Sequence, residues 1–177
     1  MTTTLRALPA EWLPRVKMQR VICHWTAGHH KASDDDKGHY HFLIEDDGDV
    51  VRGKPSVDLN TAPVKPGYAA HTLNCNTGSI GVSLCCMALA VESPFNPGKA
   101  PMTKAQWDKL AVVVADLCRT YNIPVTPKTV LSHAKVQVNL GIQQRGKWDF
   151  TRLAFAPEVK GAKACGDLLR KAVQELL

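Results

Sequence analysis

The stretch SIGVSLCCM, Ser79 to Met87, constrains the fold more than any other part of this chain. It is almost continuously apolar and only long enough for a strand, which marks a strand covered on both faces. Such a strand needs a sheet around it and other elements packed on that sheet. Two more apolar runs supply neighbours. MQRVICHW, Met18 to Trp25, reads as a strand ending near His24. TVLSHA, after Pro124 and Pro127, reads as a short strand ending at His133. HYHFLIEDDGDVVRG reads as a hairpin, with a strand over Tyr40 to Glu45, an Asp47-Gly48 turn and a return at Val50 and Val51.

Helical spacing appears in TKAQWDKLAVVVADLCRTYN. Thr103 and Gln106 form a capping-box pair, and Trp107, Leu110, Val114, Leu117, Cys118 and Tyr121 recur on one face. A last helix fits Gly161 to Leu177. Thr26 to Gly38 and Ala134 to Phe150 read as loops. Lys54 to Gly78 is a long irregular stretch of the kind that builds sites or lids. The order of elements predicts an α/β (α+β) fold class, a central mixed β-sheet flanked by helices. A length of 177 residues suits a single domain, 1–177, with a motif-bearing core over about 18–155 and a C-terminal helix over about 161–177.

A net charge of +6 suits a polyanionic partner. The basic residues form no dense block and no aromatics interleave with them, which argues against nucleic acid. Six cysteines without a C-x-x-C pair, most in apolar surroundings, read as free thiols of a reducing compartment. No apolar run approaches a membrane span. The first 20 residues carry no secretory-signal pattern, so the expectation is accumulation in the cytoplasm. In the basic, amphipathic C-terminal helix the plain expectation is packing through Leu168, Leu169, Val173 and Leu176. Weak contact with an anionic membrane surface is the other.

Five of the seven histidines fall between Arg20 and Phe42. His24 and His133 share a position, each at the C-terminal end of an apolar strand where a polar loop begins. Strand ends that open into loops are where α/β proteins build sites, although a histidine there is commonly structural. Asp149, in GKWDF, lies in the loop after the His133 strand. A His-His-Asp set leaves a fourth zinc position open, the arrangement of a catalytic site. Cys23 points away from His24 by strand alternation, and the same alternation turns His39 and His41 away from whatever Tyr40 faces. His29 and His30 read as solvated loop residues.

Four segments, VICHWTAG, GHYHFLIEDDGDV, AAHTLNCNTGSIGVSL and LSHAKV…GKWDF, resemble in order the zinc-dependent N-acetylmuramoyl-L-alanine amidases. This group includes short phage endolysins, cell-wall recycling amidases and animal peptidoglycan recognition proteins, and the resemblance runs from about Arg20 to Phe150. It implies one Zn²⁺ held by His24, His133 and Asp149, with Tyr40 and Lys147 as catalytic residues. It also implies that His71 and Asn76 line the groove for peptidoglycan or a muropeptide. The phage-type members are the better match, because recycling-type members carry a glutamate where Ser83 stands here. The resemblance implies a monomeric, endolysin-like amidase that acts on the cell wall after release. The alternatives are a muropeptide-binding module without activity and a cytoplasmic recycling amidase.

Overall fold

A computed structural model describes residues 4–177. Its centre is a five-stranded mixed sheet in the order β3-β2-β4-β1-β5. The strands are β1 (Arg20–Trp25), β2 (Phe42–Ile44), β3 (Val50–Arg52), β4 (Ser79–Leu84) and β5 (Val130–Ser132). β2, β4, β1 and β5 run parallel, and only the hairpin return β3 is antiparallel. The first six residues of SIGVSLCCM form β4, every residue of which is buried. The mixed sheet with flanking helices is the expected fold class.

Alternation divides β1 between two layers. Val21, Cys23 and Trp25 join Ile80, Val82, Leu84, Phe42 and Ile44 in the main core. That face is covered by helix α2 (Lys104–Tyr121) and by helix α4 (Ala162–Glu175), which contributes Leu169 and Val173. Thr103 caps α2 in a full capping box with Gln106. The Gln106 carboxamide also donates to the carbonyls of Ile44 and Cys85, tying the helix start to the strand ends. Ile22 faces the opposite layer, with Cys75, Leu131 and Val136.

That second layer is built from the irregular stretches. Asn60 is buried at its centre. Its Oδ1 accepts from the Ala69 amide and from His41 Nε2, and its Nδ2 donates to the carbonyls of Ala69 and Asn76. The 54–78 segment contains one 3-10 turn, Val57–Asn60, and is otherwise held by these bonds.

Four expectations change. Thr26 to Gly38 is not all loop: Ser33 and Asp36 form a capping box that starts α1 (Asp34–His39). Ala134 to Phe150 contains α3 (Val136–Leu140), ended by Gly141 at φ +71°. The hairpin strand begins at Phe42 rather than Tyr40, because Tyr40 is the C-cap of α1. In α4, Leu168 is exposed and does not join the core. Arg170 is drawn inward to the Val130 carbonyl and Asp167, and Lys163 also pairs with Asp167. Arg170 is thereby spent within the fold, whereas Lys163 stays exposed.

Gly53 fixes the approach to Tyr40. A Cβ at Gly53 would lie 1.7 Å from the Tyr40 carbonyl oxygen, so only glycine fits the crossing. We expect Gly53→Ala to destabilise the protein by about 3 kcal/mol through forced overpacking. A urea midpoint unchanged from wild type would show that the crossing yields freely.

Candidate metal centre and active-site cleft

β1 and β5 pair in parallel up to Cys23 and Ser132, so the residues that follow, His24 and His133, stand abreast. Their Nδ1 atoms are 3.1 Å apart. Asp149 comes from a loop beyond α3, with Oδ2 3.9 Å from His24 Nδ1 and accepting from the Trp25 amide. One donor atom from each of the three lies within 4.8 Å of the others. All three residues are buried, His24 to 1% exposure and His133 and Asp149 to 6%.

The Asp149 loop is clamped by its neighbours in sequence. Trp148 packs edge-on against Trp25 at 4.7 Å, and Phe150 against Trp25 and Trp107 at 5.6 and 5.9 Å. Phe150 has φ +60°, a left-handed conformation costly for an aromatic residue. Its complete burial among these rings offsets that cost.

Burial governs the charge states here. It pushes the pKa of His24 far below the ordinary value, and the neighbouring His71 and His133 push in the same direction. His133 is also lowered, mainly by burial. Both imidazoles are therefore neutral at pH 7, the form that binds metals. Burial raises Asp149 to about 6, opposed by the Trp25 amide and Lys147. His133 Nε2 lies 2.8 Å from Gln144 Oε1, and the Gln144 amide nitrogen donates to the Leu73 carbonyl. That carbonyl fixes the orientation of the carboxamide, so His133 carries its proton on Nε2 and a lone pair on Nδ1.

The donor set fits zinc. Two neutral imidazoles and one carboxylate are ligands of a catalytic zinc site, and nitrogens held tetrahedrally at 2.0–2.1 Å stand about 3.3 Å apart. The observed 3.1 Å is close to that separation.

His133 and Asp149 line a cleft of about 430 Å³ together with Tyr40, Lys147, Arg145 and Trp148, and His24 is buried against them. A second cavity of about 420 Å³, bounded by Tyr68, Leu73, Asn74, Asn76 and Gln144, shares His71, His133, Arg145 and Lys147 with it. The Tyr40 ring lies 5.2 Å from that of His24. Its phenol is raised beyond the usual range, by burial first and by the Asp149 carboxylate second, so it keeps its proton. Lys147 makes no ion pair among the described residues.

His71 and Asn76 border the cleft, but their polar atoms turn inward. His71 is buried under His24, with His24 Nε2 3.1 Å from His71 Nδ1. Asn76 Oδ1 accepts from the amides of His71 and Thr72. The expectation that alternation groups His39 with His41 fails because Tyr40 ends a helix. His39 is exposed on α1, whereas His41 is buried on the site side of the sheet against Asn60. His30 is half-buried against the Pro101 carbonyl, and His29 is exposed. Ser83 is paired with His24 across β1 and β4. Its Oγ is buried near the Tyr40 phenol without a sound hydrogen bond. Gln144 and Thr72 escape sequence reasoning, because nothing in their local pattern signals contact with a histidine.

A family model described as N-acetylmuramoyl-L-alanine amidase matches residues 14–150. The chain belongs to this amidase family. The fold agrees with solved members and their relatives. An E90A mutant of PlyL superposes with TM-score 0.54 at 15% identity, covering 96% of this chain and 95% of that one. AmiD from E. coli, solved with anhydro-N-acetylmuramic acid-L-Ala-D-gamma-Glu-L-Lys, gives TM-score 0.50 at 19% identity. That match covers 69% of this amidase-family chain and half of AmiD. The endolysin LysCS from Clostridium intestinale gives TM-score 0.45 at 15% identity, over 80% and 94% of the two chains. A comparison with curated protein sequences gives no significant match.

The buried neutral histidines set the pH response of the metal-free protein. Their folded pKa values lie below the ordinary 6.5, at about 4 for His41 and about 3 for His71. The stability they confer is complete above 6.5 and is lost as pH falls towards those values. Asp149, raised from 3.8 to about 6, acts oppositely between those two pH values. With four histidines against one carboxylate, melts in chelator should show Tm falling steadily from pH 7 to pH 5. The slope is up to about 1.4 kcal/mol per pH unit for each net proton. A flat Tm over that range contradicts the neutral cluster.

Proposed function

We propose that this protein is a zinc-dependent hydrolase that cleaves the amide bond between N-acetylmuramic acid and L-alanine in peptidoglycan, an N-acetylmuramoyl-L-alanine amidase of the endolysin type. The observation that carries the reading is the pair of buried, neutral imidazoles grouped with a buried carboxylate, of which His133 and Asp149 line an open cleft. His24, His133 and Asp149 hold one zinc ion. When bound, zinc acidifies water to a pKa of about 7 and polarises the amide carbonyl.

The remaining work falls to the chain's own side chains. Lys147, unpaired and at the cleft wall, places a positive charge beside the oxygen that becomes negative as the amide is attacked. Tyr40 keeps its proton and orients or donates it within the cleft. With serine at position 83, Asp149 is the only carboxylate among the residues lining the cleft, so no second carboxylate acts as general base. The double cavity leaves room for sugar on one side of the metal and peptide on the other. In this reading the amidase acts on the cell wall and causes lysis.

The missing second carboxylate is also the feature that favours the alternative, a muropeptide-binding module without hydrolysis. Purified wild-type protein should contain close to one zinc per chain and release new N-terminal alanine from sacculi, and Asp149→Ala should lose both. Lys147→Ala and Tyr40→Phe should keep the zinc and lower kcat by about 10²-fold or more. Zinc retained by the wild type without cleavage selects the binding module.

A further inference from the structure

We infer that His71 is a positioning residue that makes His24 competent to bind metal by fixing its tautomer, an inference that rests on the zinc site proposed above. The proton order follows from one backbone carbonyl. His71 Nε2 faces the Ser79 carbonyl oxygen at 3.3 Å, and a carbonyl only accepts, so His71 carries its proton on Nε2. The opposite tautomer would turn a lone pair towards that oxygen. His71 Nδ1 is consequently an acceptor. It faces His24 Nε2 at 3.1 Å, and Thr72 Oγ1 lies 2.8 Å from the same His71 nitrogen and 3.5 Å from His24 Nε2. The acceptor placed there favours the His24 tautomer with its proton on Nε2, against the pull of the His133 Nδ1 lone pair 3.1 Å away on the other side, and so leaves the His24 Nδ1 lone pair directed at His133 and Asp149. Gln144 imposes the same order on His133 from the other side.

The fold makes a specific place for this ring. His71 lies flat against Gly81 of β4, where an added Cβ would stand 2.6 Å from both Cγ and Cδ2 of His71. Every other residue of β4 carries a side chain, and Gly81 is fully buried in mid-strand, where glycine weakens a sheet. Its neighbour in the second layer, His41, takes the Gly81 amide on Nδ1 and stands 5.9 Å from His71, closing the far side. The amide of His71 is itself fixed by Asn76. Ring position, ring orientation and proton position are each held by a separate contact. Partners of metal-bound histidines commonly affect metal affinity by about 10- to 100-fold.

The test combines zinc affinity, by competition with a chromophoric chelator, with long-range ¹H–¹⁵N spectra of the histidine rings in metal-free protein. Wild-type spectra should show His24 protonated on Nε2. His71→Leu, which removes the acceptor but fills the space, should lower zinc affinity about 10- to 100-fold while the metal-free protein stays folded. His71→Asn, whose Oδ1 replaces the acceptor, should stay within a few-fold of wild type. Wild-type affinity in His71→Leu overturns the inference, as does an Asn variant that folds but binds no better than Leu. Should the Leu variant not fold, the wild-type spectra still decide: His24 protonated on Nδ1 refutes the assignment. Wild type that binds no zinc yet shows the Nε2 proton refutes the zinc site and leaves the tautomer assignment standing.

Discussion

The parallel pairing of β1 with β5 is the constraint on which the cleft depends. Parallel strands bring their C-terminal ends to the same edge of the sheet, so two histidines more than a hundred residues apart emerge side by side without any loop having to carry them. The same pairing leaves them at the boundary between a dry layer and an open groove. There burial keeps both rings neutral while His133 and Asp149 still line the groove. Asp149 is brought to them by aromatic packing rather than by the sheet, with Trp148 and Phe150 gripping Trp25 on either side of the carboxylate.

Much of this was legible in the sequence because the signals were local. An apolar run that stops at a histidine announces both the strand and where its site residue emerges. The Thr103–Gln106 pair marks the start of α2 and turned out to bind the sheet as well. The short helix α1 has the same kind of capping signal at Ser33 and Asp36, but it lacks an apolar face, and periodicity cannot reveal a helix that buries none of its residues. Tyr40 stands where helix gives way to strand, so alternation extrapolated backward from β2 fails for His39.

The illegible part of the site is the ring of groups behind the metal-facing atoms. Gln144 is 11 residues from His133, and His71 is 47 from His24. Both contacts are created by the way irregular chain settles on the sheet, with no periodicity to betray it. The amidase resemblance put His71 in the groove. Its ring does line both cavities, and it is also held under His24 by a glycine that no pattern rule would connect to it.

Asn60 bears on how a long segment without regular structure can serve as a wall. Its side chain spans the 54–78 stretch from inside, holding Ala69 and Asn76, while its own carbonyl accepts from the Gly78 amide at 2.6 Å. A loop cross-braced through a single carboxamide behaves mechanically like part of the sheet it covers. The ordering entropy of that wall is then lost during folding and not when a ligand arrives. On this side, the cleft meets its ligand as a finished mould, and a molecule that does not match its contour gains little by waiting for it to move.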